Sequence, residues 1–179
     1  MIWCNVSAPN SVVNVDAILL MGPPGSGKST LGNELHKRGF AIFTELEPLI
    51  VEMFGQGEAF VPKRPQAHRW IRDFYRQQLA EANLPVVIET TGIGDREFLQ
   101  ELAQSHALML VMLRTPRDVC LDRVRTRPKG RNVNAPGKPA QEYHDYWHSQ
   151  IRPTYDFALS VSGTDLEQAV GAIHDVLET

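Results

Sequence analysis

Residues 16–30 read DAILLMGPPGSGKST, an apolar run that breaks into a glycine-rich turn closed by a lysine and two hydroxyls. Gly22, Gly27, Lys28 and Ser29 fill the spacing G-x-x-x-x-G-K-[ST], and Gly25 is a further glycine inside the turn. Several backbone N–H groups can converge on one anion only where no side chain blocks the approach and φ is free to turn positive, which calls for glycine. A helix beginning near Lys28 adds unpaired N–H groups and the positive end of its dipole. Gly22, Pro23, Pro24, Gly25, Ser26, Gly27, Lys28, Ser29 and Thr30 are therefore read as a phosphate cradle. In it Lys28 reaches the outer phosphates and the Ser29 hydroxyl is suited to ligate Mg²⁺.

Outward from the loop, Leu31 and Leu35 share a helical face, and Gly39 is placed to end that helix after Lys37 and Arg38. Residues 40–43, short and apolar, read as a buried second strand. Pro48 suits the first turn of a helix carrying Leu49, Ile50 and Met53. Residues 65–83 predict a long helix whose Trp70, Ile71, Phe74, Tyr75 and Leu79 form a core-packing stripe. Further strands are expected at 84–88, 107–113 and 157–161. Asp95 is expected to cap a helix with Phe98, Leu99 and Leu102 inward. Thr115 with Asp118, and Thr164 with Glu167, have capping-box spacing ahead of two more helices.

This alternation predicts one α/β domain over residues 1–179, with a parallel sheet covered by helices on both faces. Residues 1–14 read as a loose leader. The stretch 127–141, rich in proline with Gly130 and Gly137, reads as a short lid. Ligands of such sheets lie beyond the carboxyl ends of the strands, which puts the loop, residues 44–47, residues 89–92 and Arg114 on one rim.

A chain of 179 residues can bury a full core, and a formal charge of -3 gives no general attraction to nucleic acid or membrane. Any anion site must be local. Cys4 and Cys120 lack metal-ligand spacing and read as reduced, buried thiols. Neither a secretory signal nor an apolar run long enough to cross a bilayer is evident, so a cytoplasmic location is expected.

Phosphoryl transfer needs a phosphate cradle, a metal, cations near the transferred group and an orienting carboxylate. Glu89, an acid closing an apolar strand, stands where a metal-side carboxylate belongs. Glu45 and Glu47, two apart after the second strand, point the same way if the chain there is extended. One of them can take a proton from a substrate hydroxyl, with Glu47 the better substrate contact, or both can simply favour the next helix N-terminus. Arg123, Arg127 and Arg131 recur at four-residue intervals into the lid, and Arg127 or Arg131 arriving over the phosphates would stabilise transition-state charge. Lys63, Arg64, Arg69 and Arg72 form a second basic group, either an anionic-substrate site or a solvated face. His144 and His148 are spaced i, i+4, but Asp145 replaces the glutamate of the zinc-hydrolase pattern and no third ligand is evident.

With GPPGSGKST at 22–30, TELEP at 44–48, ETTG at 89–92 and the arginine-bearing lid in place, the chain resembles the small P-loop kinases. The likeness is to the branch holding shikimate kinase, gluconate kinase and chloramphenicol phosphotransferase. The resemblance implies a three-layer α/β/α P-loop NTPase fold and a five-stranded parallel sheet in order 2-3-1-4-5. It also implies an ATP–Mg²⁺ donor and a lid that closes at each turnover. By position, Glu45 and Glu47 fall where that family has Asp-x-Asp, and Arg127 and Arg131 fall on its lid. Glutamate at both positions lengthens each arm, and Thr91-Gly92-Ile93-Gly94 stands where shikimate kinases have a glycine triplet, so the acceptor stays open. The expected activity is transfer of the ATP γ-phosphoryl to a small hydroxylated or anionic metabolite. Glu45, Glu47, Arg72 and Thr91 are the substrate contacts, Ser29 and Glu89 the metal side, and Lys28, Glu47, Arg127 and Arg131 the catalytic groups. The expected partners are ATP and a small acceptor rather than membrane or nucleic acid, with the chain a monomer or homodimer. The alternative is a nucleotide-binding regulatory P-loop protein with no small-molecule acceptor.

Overall fold

The structure, a computed structural model, describes residues 14–126 and 140–179. In chain order it runs β1 (Ala17–Met21), α1 (Lys28–Lys37), α2 (Leu46–Phe54), α3 (Arg64–Glu81), β2 (Val86–Thr90), α4 (Arg96–Ser105), β3 (Leu108–Arg114), α5 (Arg117–Thr126), α6 (Ala140–Tyr146), β4 (Leu159–Ser162) and α7 (Leu166–Leu177). Between α6 and β4 the helix widens into a π-helical turn, Trp147–Ile151, and then tightens into a 3-10 turn, Arg152–Tyr155. The strands are all parallel, in the order β2-β1-β3-β4.

Every residue of β1 is buried, as a central strand with helices above and below requires. Period-two alternation assigns its side chains. Ile18 and Leu20 join Val87, Val111 and Leu113 against Leu31 and Leu35 of α1 and Val170 and Ile173 of α7. Ala17, Leu19 and Met21 join Ile88 and Met112 against Ile50 of α2, Tyr75 of α3, Leu102 of α4 and Trp147. The two clusters are the two halves of a three-layer α/β/α domain. At about 1.5–3 kcal/mol for each fully buried aliphatic side chain, they supply the main drive to fold.

The expected five-stranded sheet in order 2-3-1-4-5 is corrected to four strands among the described residues. The 40–43 segment contributes a single parallel bridge, Ile42 with Val86, closed by Ile42 N–H to Pro85 O and Val87 N–H to Ile42 O, both 2.8 Å. Gly39 turns the chain with φ 75° on one side and α2 begins at Leu46 on the other, leaving too short an extended piece for a ladder. Phe43 is instead drawn under α1, against Gly32, where an added Cβ would stand 2.8 Å from the ring.

Two local expectations shift. β2 runs through Glu89 to Thr90, two residues beyond the expected end, because both still pair with β1, Leu20 opposite Glu89 and Met21 opposite Thr90. The α7 cap is Asp165, whose carboxylate accepts from Gln168 N–H at 3.0 Å, in place of the Thr164–Glu167 box. The expected lid and the 1–14 leader lie outside the described residues but for Ala140, Gln141 and Asn14. Among the described residues no helix is long and apolar enough to cross a membrane.

Candidate functional site

The turn from β1 into α1 is held by side chains of α1, α5, α6 and the segment between β3 and α5. The Lys28 ammonium donates to Gly22 O at 2.8 Å and Pro23 O at 3.2 Å. His144 of α6 meets Pro24 O through Nε2 at 3.1 Å, Arg123 of α5 donates to Gly25 O at 3.2 Å, and the Thr115 hydroxyl donates to Ser26 O at 2.7 Å. Every carbonyl from Gly22 to Ser26 thus has a side-chain partner. In a planar peptide the N–H points opposite to the C=O. Tying the carbonyls of Pro24 and Ser26 outward therefore turns the N–H groups of Gly25 and Gly27 inward. The first-turn N–H groups of Lys28, Ser29 and Thr30 complete a concave set of donors.

Two glycines cannot be replaced in this geometry. Gly25 has φ 83°, and a Cβ there would stand 2.3 Å from Cys120 O. Gly27 has φ 100° as the left-handed residue before α1. The residues present fit a polyphosphate, since amides face the concavity and glycine keeps it clear.

On the β2 side of the loop, the Ser29 hydroxyl donates to Glu89 Oε1 at 2.8 Å. Burial pushes the Glu89 carboxyl above the ordinary carboxylate range; the Lys28 charge and the Ser29 bond oppose that, while Glu45 and Glu47 reinforce it. Glu45, Glu47, Glu89, Lys28 and Ser29 therefore form one electrostatic group. Glu45 sits in extended backbone just before α2 and Glu47 in its first turn, so the two do not share the extended alternation expected of them. Among the described residues no cluster of three or more His, Cys, Asp or Glu is arranged to hold a metal ion. On the β4 side, a cavity of about 100 Å³ lies beside Gly27 and Thr30, walled by Leu113, Arg123 and residues 162–164.

A family model described as an AAA domain matches residues 18–150. The chain belongs to the AAA domain family. A search against curated proteins found no match. Among solved structures, this AAA domain is similar to a gluconokinase from Sinorhizobium meliloti 1021, at 18% identity and TM-score 0.58 over 94% of this chain and 96% of that one. It is similar to the shikimate kinase of Aquifex aeolicus vf5, at 24% identity and TM-score 0.57 over 90% and 96%. A tunicamycin resistance protein from Deinococcus radiodurans matches at 17% identity and TM-score 0.62 over 91% and 96%. At these identities the likeness is one of fold, that of the small P-loop kinases.

In this AAA domain the end of β2 is braced from two directions. Thr90 Oγ1 donates to Asp95 at 2.7 Å and accepts from Gly92 N–H at 2.8 Å, so Asp95 spends its carboxylate on the strand end; no side-chain cap bond of its own to α4 accompanies it. Trp147 Nε1–H donates to Thr91 O at 2.9 Å. Ile151 and Tyr155 close over Gly92. Arg72 is half-buried, its guanidinium 5.8 Å over the Phe98 ring. Arg114, at the carboxyl end of β3, donates through Nε to Ser160 at 2.8 Å. Arg127 and Arg131 lie outside the described residues.

Three loop-holding residues escaped the sequence reading in their true role. Thr115 reads as a helix cap, Arg123 as the start of an arginine series, and His144 as half of a histidine pair. Each has the right chemistry, a donor, but its target is a carbonyl more than 85 residues away along the chain, which no local pattern encodes.

Proposed function

We propose that this AAA domain is an ATP- and Mg²⁺-dependent phosphotransferase that moves the γ-phosphoryl group to a hydroxyl of a small hydroxylated or anionic metabolite. The observation that carries the reading is the joining of the amide-lined loop to a carboxylate group through the Ser29–Glu89 bond, with Lys28 between them. A bare phosphate-binding turn has no use for three acids beside a phosphate, whereas a transferase needs them to hold a metal and to receive a proton.

When bound, Mg·ATP supplies the transferable phosphoryl group and the metal charge that offsets it. The donors from Gly22 to Thr30 hold the phosphate tail, and Lys28 leaves its loop carbonyls for the outer phosphates. Ser29 and Glu89 would hold the metal side, where a bound Mg²⁺ would offset phosphate charge. Glu47 receives the proton of the attacking hydroxyl, and Glu45, Arg72 and Thr91 position the acceptor. The cavity beside Gly27 and Arg123 takes the nucleoside end, so donor and acceptor approach from opposite edges of the loop. Arg127 and Arg131 are assigned from sequence position as the cations that reach the transferred group.

Purified protein with Mg·ATP, assayed against a panel of small hydroxylated and carboxylated metabolites, is expected to phosphorylate at least one class. Lys28→Ala should lower turnover by about 100-fold or more, the scale of removing one preorganised donor. Glu47→Gln should reduce transfer while leaving nucleotide affinity nearly unchanged. Acceptor-independent hydrolysis alone, insensitive to Glu47→Gln, would indicate a regulatory nucleotide-binding protein instead.

A further inference from the structure

A second cavity, of about 290 Å³, opens beyond the carboxyl end of β3, between the start of α5 and the π-helical turn. Arg114, Thr115, Arg117, Trp147, His148 and Arg152 wall it, and no residue of the phosphate loop, nor Glu45, Glu47, Glu89 or Thr91, takes part. Three arginines and a histidine line it, while no aspartate or glutamate does. Two of the arginines are fixed from behind. Arg114 Nε donates to Ser160, and Arg117 pairs with Asp145 at 2.8 Å. That pairing cancels one positive charge and leaves Arg114 and Arg152 in the lining with no carboxylate in the wall beside them.

Two further observations show that the recess is unbalanced as it stands. Arg117 Nε and His148 Nε2 are buried without a hydrogen-bond partner. Burial, then the charges of Arg152 and Arg117, push the His148 imidazole below the ordinary histidine value, against the opposing pull of Asp145. Like charges brought together around a half-enclosed space cost free energy unless a counter-ion is seated among them. Planar guanidinium forks match the oxygens of phosphate. The indole of Trp147 gives the cavity an apolar wall, and its volume sits at the small end of ligand sites.

We propose that this cavity is a second anion site, separate from the phosphate loop, that takes the phosphate group of a small phosphorylated molecule. Its position gives the occupant a route to the first site. Thr115 lines the cavity and also holds Ser26 O, while the helical segment carrying His148 holds Pro24 O through His144 and Thr91 O through Trp147. An anion bridging Arg114, Arg117 and Arg152 therefore joins two segments that each hold a backbone carbonyl of the rim. The inference rests on the cavity itself and stands whether or not the chain transfers phosphate.

Inorganic phosphate titrated into the full chain, followed by NMR at the His148 ring and at the Gly25 and Gly27 amides, reads the two sites separately. The His148 signal is expected to saturate in its own right, and to keep doing so in Lys28→Ala and in protein whose loop is filled with a non-hydrolysable ATP analogue. Arg114→Gln and Arg152→Gln should each weaken the His148 response about tenfold, the loss of one charged hydrogen bond, with the glycine amides unaffected. Arg152→Lys keeps the charge but loses the fork, so it should fall between wild type and Arg152→Gln and guard against a folding artefact. A His148 response that persists unchanged in both glutamine variants, or that disappears when the analogue fills the loop, would overturn the second site. Silence at the glycine amides with a saturating His148 response would instead count against the loop reading alone.

Discussion

Gly25 carries the strictest demand of any residue in the loop. Its left-handed φ costs an L-residue about 1–2 kcal/mol, and a Cβ 2.3 Å from Cys120 O adds an overlap with backbone that cannot rotate away. Gly25→Ala should therefore destabilise by about 2 kcal/mol or more and abolish nucleotide binding; a variant that unfolds at the wild-type denaturant midpoint would show the crowding to be illusory. His144 makes a subtler demand. Its side chain is fully buried, Nε2–H donates to Pro24 O, Nδ1 has no partner, and burial holds its pKa below the ordinary histidine value. In the unfolded chain the ring titrates near 6.5, so below that pH the unfolded state takes up a proton that the folded state refuses until its own lower pKa is reached. Stability is full above about pH 6.5 and is lost as the pH falls from there toward the folded-state value. His144→Gln keeps a donor for Pro24 and removes the titration, so the slope of stability against pH in that window should become shallower. An unchanged slope would assign it elsewhere.

Among the elements, α5 and the helix that widens at Trp147 act as braces for a loop they do not contain. Thr115 just ahead of α5 and Trp147 on the π-helical turn each make one hydrogen bond to rim backbone, to Ser26 O and to Thr91 O. The two bonds serve different halves of the site. Thr115→Val preserves shape and removes the donor, at about 1 kcal/mol or somewhat more for the buried carbonyl left behind, and should weaken nucleotide affinity with the acceptor KM little changed. Trp147→Phe removes the bond to the strand end beside the proposed acceptor contacts and should do the reverse. Steady-state kinetics with each substrate varied in turn separate the two, and identical effects on both KM values would mean that the rim moves as one piece. The π-helical widening begins at this brace. His144 reaches Pro24 and Trp147 reaches Thr91, and the wider turn runs from Trp147 to Ile151.

At the scale of the whole molecule, a ligand that binds only the folded chain raises its stability by mass action, by about 2.7 kcal/mol at 100 times Kd. For a domain of this size that corresponds to a rise of roughly 5–10 °C in Tm. A non-hydrolysable ATP analogue should produce such a shift in the wild type and little in Lys28→Ala; equal shifts in both would remove Lys28 from the phosphates. The sequence by itself determined the loop, because glycine spacing, an apolar run and an amphipathic helix are all local properties of residues 16–35. It also determined the parallel α/β architecture, which follows from the period of hydrophobicity, and it put Glu89 at a strand end on the rim of the loop. Only the tertiary structure decided the rest. The second strand shrank to one bridge because the chain turns at Gly39 and enters α2 at Leu46, while Phe43 packs under α1, constraints that a short apolar run does not reveal. Likewise Thr115, Arg123 and His144 became holders of the loop, and Arg114 took Ser160 as its partner, since a hydrogen-bond donor in sequence carries no address until folding brings an acceptor to it.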